Sequence, residues 1–276
     1  MKIRKMCHTI SSVIAGLLLF STIASAQSIW LNRSSNKTLA LEWIKANYKQ
    51  NTGYTFTTST GFLTGRFPVG EKAVFSAELP FSIAAFESRD NEFALGNPFI
   101  GLEVHSGTSP AFAEIGARIP LVDGDSNNEE AAEVGFFYSL VERAEAFVED
   151  AVPVIGAVNY VQNQDNGFLL KLRAGAAMWI PIKGRDETEI FLLYSGQTGF
   201  QNPKYRLIAG VSGRWWLSGG SGSSFANTTW HQLGITGDVA FGKFRPGLYF
   251  QLPFDDTFKR SINYIAGLTL NIDLNN

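Results

Sequence analysis

Hydrophobic and polar residues alternate with a period of two along most of the chain after residue 37. In the segment 168–180, apolar side chains occupy the even positions from Phe168 to Ile180, whereas Lys171 and Arg173 lie between them. A strand places two such sets on opposite faces, whereas a helix would mix them. Strands in soluble proteins are usually about five or six residues long, so a run of this length is unusual for them. The pattern predicts long strands with one apolar face.

The alternation recurs along the chain, and we assign twelve strands to it, at 38–48, 53–67, 72–86, 97–107, 110–121, 151–162, 167–180, 187–197, 204–217, 228–241, 244–253 and 262–273. Long strands of this kind are typical of transmembrane β-barrels, because lipid cannot hydrogen-bond the backbone and the sheet must close. Only 17% of the residues are charged, which favours this all-β, closed antiparallel barrel over a soluble β-sandwich. Strands one, six and eight alternate poorly, so ten or fourteen strands are alternatives.

The lengths of the connections predict the orientation of the barrel. The connections after even-numbered strands are mostly short, and the long ones follow odd-numbered strands, at 87–96, 122–150, 218–227 and 254–261. Bacterial barrels have short periplasmic turns and long outer loops, so this parity places both termini in the periplasm. Two connections depart from the rule: 198–203 is long for an inner turn, and the first outer connection, near 50–52, is short.

The third outer connection, 122–150, differs in character from the rest. It holds nine acidic residues and one arginine, and its apolar residues from Phe137 to Val148 have helical spacing. We therefore expect an amphipathic helix of about 15 residues that folds over the barrel mouth or into it. The acidic residues would either steer cations or simply be solvated. The run from Asp123 resembles the start of a calcium loop, but Asn128 and Val134 occupy its sixth and twelfth positions, so we expect no bound metal.

The N-terminus has the features of a secretory signal peptide. Lys2, Arg4 and Lys5 precede an apolar stretch at 13–20, and small residues at 24–26 suit cleavage after Ala26. A membrane anchor is the alternative. We predict a signal peptide at 1–26, an N-terminal periplasmic segment at 27–37 and an outer-membrane barrel at 38–276. The single cysteine, Cys7, lies in the signal, so the mature chain would form no disulfide.

Charged residues on the predicted inner face would line the lumen. Those of the first half are mostly acidic and those of the second half mostly basic; they are Glu42, Glu78, Glu103, Glu114 and Arg118, then Lys171, Arg173, Arg206, Arg214, Asp238 and Arg245. Two opposed arcs of charge would set a field across the lumen and select polar or zwitterionic solutes. Alternatively, the same charges pair with one another and stabilise a plugged barrel.

Aromatic residues lie near several predicted strand ends. Tyrosine and tryptophan concentrate at membrane interfaces, so we assign to interface girdles Trp43, Trp179, Trp215, Trp216 and Trp230. Trp30 precedes the first strand. The alternative is ordinary core packing.

The chain offers little enzyme chemistry, and we predict that it is not an enzyme and holds no cofactor. His105 is expected on the inner face near the periplasmic end, and His231 on the lipid side near the outer end, as lone polar residues. One alternative is an outer-leaflet lipid hydrolase, in which His231 would act with a neighbouring polar residue, Ser223, Ser224 or Asn227.

Short motifs between residues 60 and 160 resemble a known family. They are Phe67-Pro68, Glu78-Leu79-Pro80, Leu95-Gly96-Asn97-Pro98-Phe99-Ile100-Gly101-Leu102-Glu103 and Gly116-Ala117-Arg118-Ile119-Pro120. They are similar to the transporters related to the meta-pathway of phenol degradation. The resemblance implies a barrel that passes hydrophobic or aromatic small molecules, with no assigned site residues. The segment 267–272 partly resembles the terminal signal read by the barrel-assembly machinery, although the chain ends in Asn276 and Ile265 stands where a polar residue is usual.

These patterns together predict passive passage of small molecules across the cell outer membrane. The expected partners are outer-membrane lipid, the barrel-assembly machinery and a small-molecule solute. The net charge of −2 argues against nucleic acid. A structural or adhesive barrel without transport is the alternative function.

Overall fold

A computed structural model describes residues 37–49, 53–106, 109–124, 128–163, 166–183, 187–219 and 225–274. The predicted signal peptide and Trp30 lie outside the described residues, as does the periplasmic segment except for Lys37.

The described residues form twelve strands, because the fourth strand is built from two short segments. The strands are β1 (Thr38–Tyr48), β2 (Ser59–Val69), β3 (Ala73–Ala84), β4 (Glu92–Leu95 and Phe99–His105), β5 (Ala111–Arg118), β6 (Ala151–Asn163), β7 (Gly167–Pro181), β8 (Glu189–Gln201), β9 (Tyr205–Trp216), β10 (Thr229–Val239), β11 (Phe244–Pro253) and β12 (Ile262–Asp273). The helices are α1 (Glu129–Tyr138), α2 (Leu140–Arg143), a 3-10 turn (Ala144–Ala146), α3 (Phe225–Thr228) and α4 (Asp256–Ser261).

The sheet closes on itself. Each strand pairs antiparallel with its neighbours in the chain, and β1 also pairs with β12, from Thr38 opposite Asp273 to Tyr48 opposite Ile262. Closure gives every strand two partners, as a sheet in lipid requires. The predicted all-β, closed antiparallel barrel of twelve strands is confirmed, and the sandwich and the other strand numbers are excluded.

The distribution of apolar and charged side chains is the reverse of that in a soluble protein. On the outside of the barrel, Leu207, Leu248 and Leu268 are each more than half exposed, at 53%, 63% and 59%. On the inside, Arg206 and Asp238 are each 3% exposed. An apolar exterior around a charged interior suits a sheet whose outer face meets hydrocarbon. The chain is therefore an outer-membrane β-barrel.

The connections follow the predicted parity more closely than the sequence suggested. Strand β8 continues to Gln201 instead of ending at 197, so the turn to β9 is short and the first exception disappears. Strand β2 begins at Ser59 instead of 53, because Tyr54 makes only an isolated bridge with Phe86. The first outer connection is therefore long, and the second exception disappears as well.

Strand β4 is interrupted at Gly96-Asn97-Pro98. The sequence predicts a strand that begins at 97 after a loop, whereas the structure has a further short segment, Glu92–Leu95, before the interruption. Both segments of β4 pair with β3, at Phe81 opposite Leu95 and at Glu78 opposite Phe99. Proline has no N–H to give to a sheet and disfavours regular pairing. The interruption turns Asn97 into the barrel, where it is fully buried.

Two glycines make room for the ring of Phe99 inside the barrel. A Cβ at Gly116 would lie 2.2 Å from Cζ of Phe99 and 2.6 Å from the carbonyl oxygen of Ile100. A Cβ at Gly101 would lie 2.5 Å from the same ring atom. Because Phe99 is fully buried, its ring has no open space into which it could move.

We expect Gly116→Ala to destabilise the barrel by about 1–3 kcal/mol, the usual cost of overpacking. The measurement is the temperature at which the folded band disappears on gels of unboiled protein. Gly196→Ala is the matched control, since a Cβ there would meet only Leu172, at 3.6 Å. Equal melting temperatures for the two variants would contradict the assigned role of Gly116.

Candidate channel lumen and its plug

The structure places each predicted lumen residue on the inner face of the barrel. All are nearly fully buried except Arg245, whose side chain is 17% exposed; they are Glu42, Glu78, Glu103, Glu114, Arg118, Lys171, Arg173, Arg206, Arg214, Asp238 and Arg245. Lys171 lies opposite Gln197 in the β7–β8 ladder. These side chains form the wall whose geometry decides whether solutes can pass.

Most wall charges pair with near neighbours and not across the lumen. Arg118 contacts Glu78 at 2.7 Å, and Arg173 contacts Glu114 at 3.0 Å, each spanning one intervening strand. Arg66, which the sequence analysis did not single out, donates from Nε to Glu103 at 3.0 Å.

The basic second half of the chain contains a local ion pair of its own. Asp238 accepts from Arg206 Nε at 2.7 Å and lies 3.2 Å from Arg245 Nε. The expected field between an acidic and a basic arc is therefore largely cancelled by these short-range pairs.

The third outer connection enters the barrel and forms what we call the plug, residues 128–148. The helical segment is present, but as α1, α2 and a 3-10 turn and not as one helix of about 15 residues. The side chain of Ser139 donates to the carbonyl oxygen of Gly135 at 2.7 Å, a competing bond that favours a break in a helix. Buried plug residues pack among inward-facing rings; they include Val134, Tyr138, Val141 and Phe147. The plug thus fills the outer half of the lumen.

The one arginine of the acidic connection is the plug's anchor to the acidic wall. Arg143 contacts Glu42 at 2.8 Å and Glu78 at 3.0 Å, and its guanidinium lies 3.6 Å from the centre of the Phe62 ring. Burial opposes the charged form of Arg143, but Glu42 and Glu78 outweigh that effect and raise its pKa above the ordinary value.

Two further acidic residues of the plug bind other parts of the wall. Glu145 forms an ion pair with Arg214 at 2.7 Å. Glu142 accepts hydrogen bonds from Gln232 at 2.6 Å and from Gln251 at 2.9 Å. Strand β9, which carries Arg214, lies six places around the ring from β3, so the plug spans the lumen. The acidic residues of this connection are therefore not all solvated. This differs from the simplest expectation from the sequence, in which solvent surrounds every one of them.

Asn97 fixes both ends of the plug connection. Its Nδ2 donates to the carbonyl oxygens of Glu145 at 3.2 Å and Val148 at 2.7 Å. Its Oδ1 accepts from the backbone N–H groups of Leu121 at 2.7 Å and Val122 at 3.0 Å. The sequence signal was an amide-bearing residue, between glycine and proline, in a segment expected to be a strand. Asn97 also belongs to one of the motifs that carry the family resemblance.

The outer end of the plug carries an acidic helix start. Partial burial raises the pKa of Glu133, and the neighbouring Glu130 and Glu129 raise it further by repulsion. Arg89 in the second outer connection pairs with Glu130 and lies over the Phe86 ring at 3.6 Å. This contact offsets part of the repulsion at the mouth.

The tryptophans assigned to interface girdles do not form one group. Trp179 is inside the barrel, 5% exposed and 4.3 Å from the Phe191 ring, and Trp216 and Trp230 also pack against the buried cluster. For these three, the girdle assignment is wrong, because they face the interior of the barrel and not lipid; Trp179 also lies 6.2 Å from the Phe136 ring of the plug. Trp43 faces outward but lies halfway along β1, not at its end, and Trp215 is an outward position near the end of β9.

His105 on β4 and His231 on β10 lie far apart in the barrel wall. His105 stacks on Phe112 with ring centres 4.6 Å apart, and its Nε2 lies 3.5 Å from Glu103. His231 is on the outward face near the outer end of β10, where Nδ1 lies 3.0 Å from Asp255 and Nε2 meets the hydroxyl of Tyr194.

Neither Asp255 nor Tyr194 is among the partners of His231 considered above for a lipid hydrolase. Ser223 and Ser224 lie outside the described residues, and Asn227 is exposed. Tyr194 reaches His231 across Gly213, where a Cβ would lie 2.4 Å from the tyrosine ring. Asp255 precedes α4, so the array ties the last outer connection to the barrel wall.

Among the described residues, none of the helices has both the length and the apolar character that crossing a membrane would require.

The fold of the chain is similar to those of solved structures, whereas comparisons of its sequence with known families and proteins find no match. No family model matches the chain, and a search of curated proteins finds no match. An outer-membrane channel from Pseudomonas putida F1 is similar with a TM-score of 0.55 and 10% identity, over 90% of this chain and 99% of that one. The NanC porin is similar with a TM-score of 0.53 and 5% identity, over 87% of this chain and 100% of that one. At these identities, the likeness shows the shared barrel fold.

We expect Asn97→Ala to loosen both ends of the plug, because it removes four hydrogen bonds of a buried amide, each worth about 1 kcal/mol. The measurement is the rate at which a thiol reagent labels a cysteine introduced by Val134→Cys, a fully buried plug position. Labelling should accelerate at least about tenfold, the change that about 1.4 kcal/mol produces. Asn263→Ala, at an exposed amide, is the control, and unchanged labelling in Asn97→Ala would contradict the anchoring role.

We expect His231→Ala to weaken the attachment of the last outer connection and to lower barrel stability by about 1–3 kcal/mol. His105→Ala provides the comparison at a second partly buried histidine.

Release of fatty acid from labelled phospholipid should be the same for the wild type and for His231→Ala. Release by the wild type that is lost in His231→Ala would instead support the lipid hydrolase.

Proposed function

We propose that the barrel is a channel for passive passage of small molecules across the outer membrane and that the plug is its gate. The observation that carries this proposal is the pair of opposite attachments, Arg143 to Glu42 and Glu78, and Glu145 to Arg214. A twelve-stranded bore lies between the eight-stranded barrels that wall side chains can fill and the open porins. Here the space is closed by a separate segment, and a separate segment can move.

The plug is joined to the wall in part by contacts that water can replace. Once water enters the site, it can take the place of a lost partner in an ion pair or an amide hydrogen bond, because a water molecule both donates and accepts. The chain enters the plug connection from β5 and leaves it into β6, and the plug itself contributes no strand to the barrel. The plug can therefore shift without breaking the pairing of the strands. Both features support a gate.

Rings from the wall surround the plug at its anchors, and this supports solutes with apolar or aromatic parts. Phe62 lies against Arg143, and Phe191 and Trp179 lie within 5.2 Å and 5.9 Å of the Arg214 guanidinium. A shift of the plug would expose these rings to the lumen. The family resemblance implies solutes of this kind, and the two observations are independent of each other.

A structural barrel without transport is the second candidate. The observation that favours it is the filled and paired lumen, since Arg66, Arg118 and Arg173 contact carboxylates within the wall. We regard outer-membrane lipid and the barrel-assembly machinery as partners of either barrel, and a small solute as a partner of the channel alone.

Conductance in planar lipid bilayers separates the two candidates. We expect discrete openings of small amplitude for the wild type, and a several-fold higher open probability for Arg143→Ala, because removal of one partner from a buried ion pair costs about 3–5 kcal/mol. Lys183→Ala is the matched control, since it removes an exposed pair with Asp123 at the edge of the same connection.

A wild-type barrel that stays sealed at every voltage, and that admits no solute in proteoliposomes, would overturn the channel proposal. Opening of Arg143→Ala alone would then show only that a damaged plug leaks. The folded band on unboiled gels verifies that each variant forms a barrel before conductance is compared.

A further inference from the structure

The plug presents two opposite charges to two opposite walls of the lumen, within one three-residue stretch. Arg143 is held by Glu42 and Glu78, which we call the acidic subsite, and Glu145 is held by Arg214, which we call the basic subsite. Both plug side chains are at most 2% exposed. A buried charge without a counter-charge is costly, so each subsite is built to hold a group of the opposite sign.

Each subsite also carries a flat apolar surface beside its charge. The Phe62 ring stacks under the Arg143 guanidinium at 3.6 Å, a geometry that favours a cation. At the basic subsite, Arg214 is flanked by the rings of Phe191 and Trp179. Between the two subsites, Gln232 and Gln251 donate side-chain N–H groups to Glu142.

Displacement of the plug would leave a specific imbalance on the wall. Glu78 would keep Arg118 at 2.7 Å, whereas the acidic subsite would lose Arg143 and the basic subsite would lose Glu145. The remaining site would have excess negative charge on the side of β1 and β3 and positive charge on β9. A ligand that is cationic at one end and anionic at the other restores both pairings.

We infer that the acidic and basic subsites form a solute-binding site for short zwitterionic peptides, and that the plug residues Arg143 and Glu145 occupy it in the closed state as an internal mimic of the solute. The inference rests on the proposed channel function and adds a charge of opposite sign at each end to the solutes with apolar parts described there. The cationic end of the solute binds Glu42 and Glu78, and the carboxylate end binds Arg214. A solute that makes both contacts competes with the plug and so favours the open state.

The plug's own sequence supplies the probe for a test. The capped tripeptide Arg-Ala-Glu reproduces residues 143–145, and Arg-Ala-Gln and Gln-Ala-Glu each lack one charge. The readout is the rate of thiol labelling at the buried plug position in Val134→Cys. We expect millimolar Arg-Ala-Glu to accelerate labelling at least threefold and to interrupt single-channel current, and the singly charged peptides to do neither.

A charge exchange makes the test specific to the assigned residues. The double variant Arg214→Glu with Glu145→Arg keeps an ion pair between plug and wall but reverses its polarity. We expect this variant to respond to the peptide Arg-Ala-Arg and to lose its response to Arg-Ala-Glu. If the double variant does not fold, Arg214→Gln in the same labelling assay should abolish the preference for Arg-Ala-Glu over Arg-Ala-Gln.

The inference and the proposed function fail in different ways. Equal effects of the three peptides on a conducting wild type would overturn the zwitterion site and leave the channel intact. A wild type that neither conducts nor admits solute would overturn the channel itself. A peptide preference that survives Arg214→Gln would show that peptides bind elsewhere, and it too would overturn the assigned site.

Discussion

The whole structure depends on the requirement that backbone groups in hydrocarbon be hydrogen-bonded within the protein. A sheet meets this requirement only by closing, which here is the pairing of β1 with β12 from Thr38 to Tyr48. Closure fixes the alternation of the chain, because each residue must then face either lipid or an enclosed interior. It also creates an interior that has to be filled or hydrated, and the buried charged side chains of the strands, such as Glu78, Arg118 and Asp238, lie there.

Twelve strands enclose more space than the wall side chains occupy, and the chain fills the excess with one of its own connections. This explains why the third outer connection is long, helical and rich in small and apolar residues. It also explains the broken β4, since Asn97 is directed inward by Gly96 and Pro98 and holds residues from both sides of the plug. The interruption that looks like a defect in the strand is the attachment point of the plug.

The strand pattern could be predicted from the sequence because period-two alternation is a local property, and the strand ends found differ from expectation by at most six residues. The plug anchors could not be predicted in this way. Arg143 stands out in the sequence as the one cation among nine acidic residues. Its partners Glu78 and Glu42, however, precede it by 65 and 101 positions along the chain. Trp179 shows the same limit: its position near a strand end is local, whereas its place beside the Phe136 ring of the plug depends on the tertiary structure.

The ion pairs and the apolar contacts of the plug have different roles. A buried ion pair contributes little net stability against its desolvation, whereas each buried apolar side chain such as Val134 or Phe147 contributes about 1.5–3 kcal/mol. Apolar packing therefore keeps the plug in the mouth, and the ion pairs determine its position there. Because Ser139 breaks the helix between these two parts, the anchored segment 140–148 can leave the subsites, and α1, whose Gly135 packs against Phe147, then loosens from the wall. A gate of this kind responds to a ligand that matches its charges and resists one that matches neither.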